Sequence, residues 1–413
     1  MTYMKRFLTV IALLASVTMI SFSCGKSEAV STGYQNNVVY EMNVRQLTPE
    51  GTFAAAAERL PMLKGIGVDI VWLMPIHPIG VLERKGTLGS YYAPKDYRAV
   101  NPEYGTLEDF DAFVAKAHSL GLKVIIDWVA NHTSPDSEWA ASHPEWFRLD
   151  ENGKFVVQYD WTDIAPLDLS NEEMRAEMRD NFRFWLSRGI DGFRCDVAGE
   201  MPFEYWESMI SPMRKEFPGK YWLAEGEHPE HHTISDFDAS YSWELHHLLN
   251  AIAQGKKGIT DLVAYIKKNA ELYPADAMRL AFTSNHDENS WKGTEFERMG
   301  DAWKAMTVLC WTLPQTQPLI YTGQEIGYDH RFLFFEKDPM PQVEENEFTA
   351  FYRYLASLKH SHPALDAAAG QEFNILSTDD NTLKFERISG KDKVTVSVQL
   401  VAPWDWSVEV GNL

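Results

Sequence analysis

Short apolar runs without alternation, each followed by a stretch of helical period, limit this chain more than any other feature. Residues 69–75, 123–129 and 221–224 are apolar at nearly every position. A strand of that kind must be buried on both faces, which demands a parallel sheet covered by helices. Period and punctuation predict strands at 38–47, 69–75, 123–129, 192–197, 221–224, 237–241, 279–283 and 318–321. Helices are predicted at 53–65, 107–120, 171–188, 203–217, across 243–272, and at 297–313 and 345–359, the third opened by Ser170 as its cap. Eight strands with interleaved helices close into a (β/α)8 barrel without leaving sheet edges. A doubly wound open sheet is the alternative. It would need a glycine-rich turn after the first strand, where Arg45-Gln46-Leu47-Thr48-Pro49 stands instead.

At 413 residues, of which 45% are hydrophobic and 13% aromatic, the chain has the length and the core for one such α/β barrel with a small addition. The barrel is placed at 38–362. An inserted segment at 131–169 follows the third strand, too long for an ordinary connection and rich in tryptophan (Trp139, Trp146, Trp161). From 363 to 413 the pattern changes to short alternating runs at 382–387 and 393–400, a small antiparallel β module that is short for a complete sandwich. The first 24 residues have a charged start, an apolar run and small residues before Cys24, as a secretory signal does. Cys24 stands where bacterial lipoprotein signals, which this segment resembles, place the acylated residue. Residues 25–37 then read as a tether, and the expected location is secreted, held at a bacterial membrane by the lipid alone. A formal charge of −21 excludes a phosphate backbone as a partner, so no nucleic acid is expected. Cys195 and Cys310, in apolar surroundings, read as buried free thiols.

Carboxylates stand at the ends of the apolar runs: Asp127, Asp196, Glu225 and Asp287, joined by His132, His286 and Arg194. In a barrel these positions share the C-terminal rim, where barrel enzymes assemble their sites. Singly, each carboxylate is as well explained by a cap or an ion pair. Jointly, four carboxylates, two histidines and an arginine on one rim fit glycoside cleavage. That chemistry needs one carboxylate at the anomeric carbon, a second with a raised pKa to protonate the leaving oxygen, and polar groups for sugar hydroxyls. Arg194 lies two residues before Asp196 on the same strand face, placed to keep that aspartate ionised.

These residues resemble, in order, the four motifs of the α-amylase superfamily of retaining glycosidases: Asp127-Trp128-Val129-Ala130-Asn131-His132, Gly192 through Asp196, Ala224-Glu225, and Asn285-His286-Asp287. Gly89-Ser90-Tyr91-Tyr92 leading to Asp96-Tyr97, and Gly323-Gln324-Glu325, are further matches. The resemblance runs from about residue 38 to 359. It implies Asp196 as nucleophile, Glu225 as general acid/base and Asp287 as the carboxylate that holds the distorted ring. It implies sugar contacts from Tyr92, His132, Arg194 and His286, with Asp127 ordering the rim, and an α-glucan or maltooligosaccharide as substrate. Glu227, on the same strand face as Glu225, is the rival acid.

The sequence departs from that family at two places. Many calcium-dependent members carry a Lys-His pair after the nucleophile, and the histidine backbone helps bind the ion. Here Val197-Ala198-Gly199-Glu200 stands in its place. Asn131 and Asp168 remain as calcium-ligand candidates, few for a cation that takes six to eight oxygens, so no cofactor is required by the sequence. Many exo-acting α-glucosidases have an aspartate three residues before the stacking tyrosine, where this chain has Gly89, which leans toward internal cleavage or short oligosaccharides. His228, His231 and His232 invite a metal reading, but the proline-containing stretch around them reads as a solvated or substrate-side loop. Hydrolysis competes with transglycosylation and oligosaccharide-specific α-glucosidase action on the same site, and with a non-enzymatic surface glucan-binding protein, a reading that the retention of all three carboxylates disfavours.

Overall fold

The computed structural model describes residues 33–342, 344–367 and 371–412. Cys24, the signal segment and most of the expected tether lie outside the described residues. Eight parallel strands close a barrel: β1 (Val39–Met42), β2 (Ile70–Leu73), β3 (Lys123–Trp128), β4 (Gly192–Cys195), β5 (Tyr221–Ala224), β6 (Ala239–Tyr241), β7 (Met278–Ala281) and β8 (Thr316–Tyr321). Each strand pairs with its neighbours in sequence and β8 pairs with β1, so the open-sheet alternative is excluded.

The strands are shorter than their apolar runs. The first run ends at Met42, and Val44–Leu47 coils into a helical turn; the helix expected at 53–65 breaks into Phe53–Ala57 and Leu60–Ile66. The helix Glu172–Ser187 is capped by Asn171, whose side-chain oxygen accepts from the N–H groups of Glu173 and Met174, rather than by Ser170. The tether also ends earlier than residue 37. Tyr34 is buried, its hydroxyl donates to the Gly219 carbonyl and its ring packs on Lys123 and Tyr221.

Strand alternation sends Ile70, Trp72, Ile125, Tyr221, Leu223, Tyr241 and Leu280 into the barrel interior, where they form one apolar cluster. Gly192 is required by close approach. With φ of +152° and a Cβ that would lie 1.8 Å from the Tyr221 carbonyl, no side chain fits between β4 and β5 at that level.

The segment 131–169 folds back on itself through a two-residue antiparallel pairing of His132–Thr133 with Ala165–Pro166. Trp146 is buried and Trp139 packs on the core, so these two serve packing, while Trp161 is half-buried against the small cluster of Ile79, Ala93 and Ile164. The C-terminal module is a four-stranded antiparallel sheet, β9 (Glu372–Ser377), β10 (Thr382–Ser389), β11 (Asp392–Gln399) and β12 (Trp406–Asn412), with two strands more than the alternating runs indicate. It is joined to the barrel by Arg387, buried and donating to the carbonyls of Thr312, Leu313 and Asp366. Among the described residues no helix is long and apolar enough to cross a membrane.

Candidate active site

Asp196, Glu225 and Asp287 leave the ends of β4, β5 and β7 and meet at one cavity of about 560 Å³, together with Tyr92, His132 and His286. The local backbone explains how. The Asp196 N–H donates to the Trp128 carbonyl (3.0 Å) and the Glu225 N–H to the Cys195 carbonyl (3.0 Å), so the sheet ladder runs up to both carboxylates. Val197 then turns at φ of +41°, a left-handed conformation that is costly for a β-branched residue. The turn brings the Val197 N–H onto the Glu225 carboxylate at 2.7 Å, fixing one acid against the loop of the other.

Beneath this rim lies Arg194, fully buried and opposite Asp127 in the β3–β4 register. Its guanidinium reaches Asp127 (2.9 Å), Asp196 (3.0 Å) and Glu225 (3.0 Å). The contact with Asp196 is a formed hydrogen bond, whereas the contact with Glu225 has the distance but not the hydrogen-bond geometry. Asp127, also fully buried, accepts from Trp72 Nε1 (3.2 Å) and the Tyr92 hydroxyl (2.9 Å). Neither Arg194 nor Asp127 lines the cavity. They brace the floor from below: burial corrects the expected sugar contact of Arg194, while Asp127 lies beneath the rim it was expected to order.

Charge on this floor is crowded. Burial first, and then the facing Glu225 carboxylate, push Asp196 well above the ordinary carboxylate range against the pull of Arg194. Burial pushes Asp127 and Asp287 the same way. Arg194 pulls against that rise: three carboxylates share its one guanidinium, and it hydrogen-bonds Asp127 and Asp196 but not Glu225.

The two histidines differ in charge. Burial works against the cation at His286, but Asp287 (3.3 Å) and Glu41 (2.5 Å) outweigh it and carry its pKa to about 9. Burial brings His132 down to about 4. It is a neutral ring that donates from Nε2 to the Tyr92 carbonyl (2.9 Å) and accepts at Nδ1 from Asn131 Nδ2 (3.1 Å). Glu41 is a site residue absent from the sequence reading. Its signal was an acid in the middle of the apolar first run, between Tyr40 and Met42.

Aromatic rings complete the cavity. Tyr92 stacks on His286 with centroids 5.2 Å apart, and Phe334 continues the stack at 6.4 Å. Trp291, Phe335 and Trp161 are further walls, and Trp161 leans on His132. Lys85 closes one side by an ion pair to Asp163 (3.2 Å) and a hydrogen bond to the Asp160 carbonyl (3.1 Å). Phe334, Phe335, Lys85 and Asp163 come from long loops with no signal of their own in the sequence. Gly89 sits at φ of +77°, and a Cβ there would lie 2.8 Å from Ile79, so the backbone itself disfavours an aspartate at that position.

Glu227 is engaged elsewhere, paired with buried Arg279 at 2.6 Å and accepting from the Glu244 N–H, and it does not line the cavity. The histidine stretch is not a solvated loop. Glu230–Thr233 is a helical turn, His231 is fully buried, and burial takes His231 and His232 to about 3. Calcium does not fit the two candidates. Asn131 turns its amide nitrogen toward His132 and Gln158, and Asp168 Oδ1 accepts from the backbone and hydroxyl of Ser170. Among the described residues no group of three or more His, Cys, Asp or Glu side chains is placed to hold a metal ion.

The family profile described as "Alpha amylase, catalytic domain" matches residues 21–146 and 141–351. An alpha-amylase structure from Lactobacillus plantarum superimposes with a TM-score of 0.81 at 33% identity, covering 89% of each chain. The alpha-1,4-glucan:maltose-1-phosphate maltosyltransferase of Rhodospirillum rubrum is 32% identical over 60% of this chain, and alpha-amylase MalA of Haloarcula japonica is 28% identical over 81%. These matches span 38% and 50% of the two curated relatives' own lengths, so the chain corresponds to half or less of either protein.

Proposed function

This chain belongs to the alpha-amylase catalytic-domain family, and from that premise we propose that it hydrolyses α-glucosidic bonds of starch-like glucans or maltooligosaccharides with retention of configuration. The convergence of Asp196, Glu225 and Asp287 on one aromatic-walled cavity carries the reading. In the first step the Asp196 carboxylate attacks the anomeric carbon while Glu225 passes its proton to the leaving oxygen, which breaks the glycosidic bond and leaves a glycosyl ester on Asp196. In the second, Glu225 takes a proton from water, whose oxygen attacks the same carbon and releases Asp196. The cycle needs Glu225 protonated while Asp196 is ionised. The hydrogen bond from Arg194 to Asp196, and its weaker contact to Glu225, favour that arrangement. Asp287, beside cationic His286, and neutral His132 are placed to take ring hydroxyls, with Tyr92 offering its ring face to the sugar.

A second reading is maltosyl transfer, supported by the curated relatives of that name. Hydrolysis is preferred because this chain and the Lactobacillus amylase cover each other almost end to end. Maltoheptaose digests decide: reducing sugar with initial α-anomer by NMR supports hydrolysis with retention, and products longer than the substrate, with phosphate released when maltose 1-phosphate is supplied, support transfer. A folded protein that binds the sugar and releases nothing would sink both. Lipid attachment at Cys24 is proposed with it, and release of Cys24→Ala from the membrane fraction is the expected result.

A further inference from the structure

The inserted segment 131–169 forms one wall of the cavity, and the Gln158 side chain, beside a hydrogen bond between Tyr159 and Glu200, ties it to the loop after Asp196. Gln158 accepts at Oε1 from Asn131 Nδ2 (3.2 Å) and donates from Nε2 to Glu200 Oε2 (3.0 Å). Asn131 uses its other amide hydrogen on His132 Nδ1 (3.1 Å), and His132 donates onward to the Tyr92 carbonyl (2.9 Å). Every donor in this chain meets an acceptor, and the direction is fixed. An amide with two hydrogens feeds one acceptor on each side, which forces His132 into the tautomer that faces Tyr92 with its N–H. One end of the relay is thus a ring that lines the cavity, and the other is Glu200, four residues beyond Asp196. Trp161, three residues after Gln158, is held in the same turn by its own N–H donating to the Gln158 carbonyl (3.1 Å).

We propose that Gln158 is a positioning residue, whose side-chain amide joins the inserted wall to the Asp196 loop through Asn131 and Glu200, in the role that the family resemblance would give to a calcium ion. The groups that would ligate such an ion are engaged by neighbouring side chains instead. Asn131 presents nitrogen, Asp168 is occupied by Ser170, and the Glu200 carboxylate is taken by an amide hydrogen. A neutral relay of this kind orders the wall without an ion, and its effect on turnover runs through the orientation of His132 and Trp161.

The test compares the full-length chain after dialysis against EDTA, the same protein with about 10 mM calcium, well above the ~10⁻⁴–10⁻³ M dissociation constants of weak extracellular sites, and the variants Gln158→Ala, Glu200→Ala and Glu200→Gln. The expected results are a melting temperature and kcat that do not respond to EDTA or calcium, and a kcat lowered about fivefold in Gln158→Ala with KM within about twofold, the scale of one lost hydrogen bond. Glu200→Gln, which keeps the acceptor oxygen and removes the charge, stays at wild-type kcat, while Glu200→Ala follows Gln158→Ala. A melting temperature that falls with EDTA and returns with calcium overturns the proposal, as does wild-type kcat in Gln158→Ala. Should Gln158→Ala fail to fold, the Glu200 pair decides, and equal activity in the two variants overturns it. The kinetic arm rests on the glucan-cleaving reading; the melting arm is measured without substrate, so an inactive protein would still distinguish relay from ion.

Discussion

The floor and the wall of the cavity solve one problem, the fixing of polar groups in a dry site, by opposite means. On the floor, Arg194 lies among Asp127, Asp196 and Glu225, and cationic His286 between Glu41 and Asp287, so order comes from charge against charge. On the wall, Asn131, Gln158 and neutral His132 form a chain of uncharged donors and acceptors ending on Glu200, with one ion pair at its margin. The floor needs charge because the proposed chemistry makes and discharges an oxocarbenium-like centre. A buried charge is stable only when paired, and losing one partner of such a pair costs about 3–5 kcal/mol. The wall needs only shape, which neutral hydrogen bonds worth about 1 kcal/mol each can supply.

The comparison breaks most visibly at Glu225. Glu225→Gln is expected to lower kcat by about 10²–10⁴-fold, the range of a lost general acid, with the fold intact by circular dichroism. Glu227→Gln, two residues on, is expected to leave kcat near wild type and to lower the melting temperature, because its partner is the buried Arg279 rather than anything in the cavity. An inactive Glu227 variant beside an active Glu225 variant would reverse the assignment.

A smaller effect is expected at Glu41, and it carries a pH signature. The folded pKa of His286, about 9, exceeds its ordinary 6.5, so the pairing stabilises the fold fully below about 6.5 and is lost as pH rises through about 9. Glu41→Gln removes one of the two carboxylates that raise that pKa. The melting-temperature difference between wild type and variant should be largest at about pH 6.5 and shrink toward pH 10. The alkaline limb of kcat/KM should move to lower pH, with a loss that approaches about tenfold above pH 9 if one pKa unit is forfeited. Superimposable profiles would show that Asp287 alone sets the charge.

Legibility in the sequence follows the same division. The barrel could be read because strands buried on both faces need a near-continuous apolar run, and Asp196, Glu225 and Asp287 because a charge that ends such a run stands out. Glu41 has equal chemical weight and escaped because it lies inside its strand, where Tyr40 and Met42 mask it. Arg194 and Asp127 could be read as rim members but not as a layer below the cavity, since depth comes from strand register, which no single run encodes. Gln158, Lys85 and Phe334 sit in long loops whose contacts are made only after the barrel has closed, and the left-handed turn at Val197 goes against the residue's own preference. The strand boundaries moved for a related reason: apolar residues past Met42 and Cys195 are buried by helices and loops rather than by the sheet.

Lys85 offers the finest test of the wall. Its ion pair with Asp163 is about one-third exposed on the lysine side and buried on the aspartate side, so Lys85→Met should lower the melting temperature by a few degrees. The same lysine also donates to the Asp160 carbonyl, on the residue before Trp161, so its loss frees the stretch that carries the outer aromatic face. The readout that reports on the wall itself is therefore substrate length. KM for maltoheptaose should rise about two- to threefold relative to that for maltotriose, in keeping with one weak polar tie, while kcat on the short sugar is unchanged. Because exposed charge pairs are screened by salt, wild type in about 1 M sodium chloride should shift toward the variant, and the variant itself should not respond. A salt response that persists in Lys85→Met would place the sensitivity on the charged floor instead, and the division between a charged floor and a neutral wall would have to be redrawn.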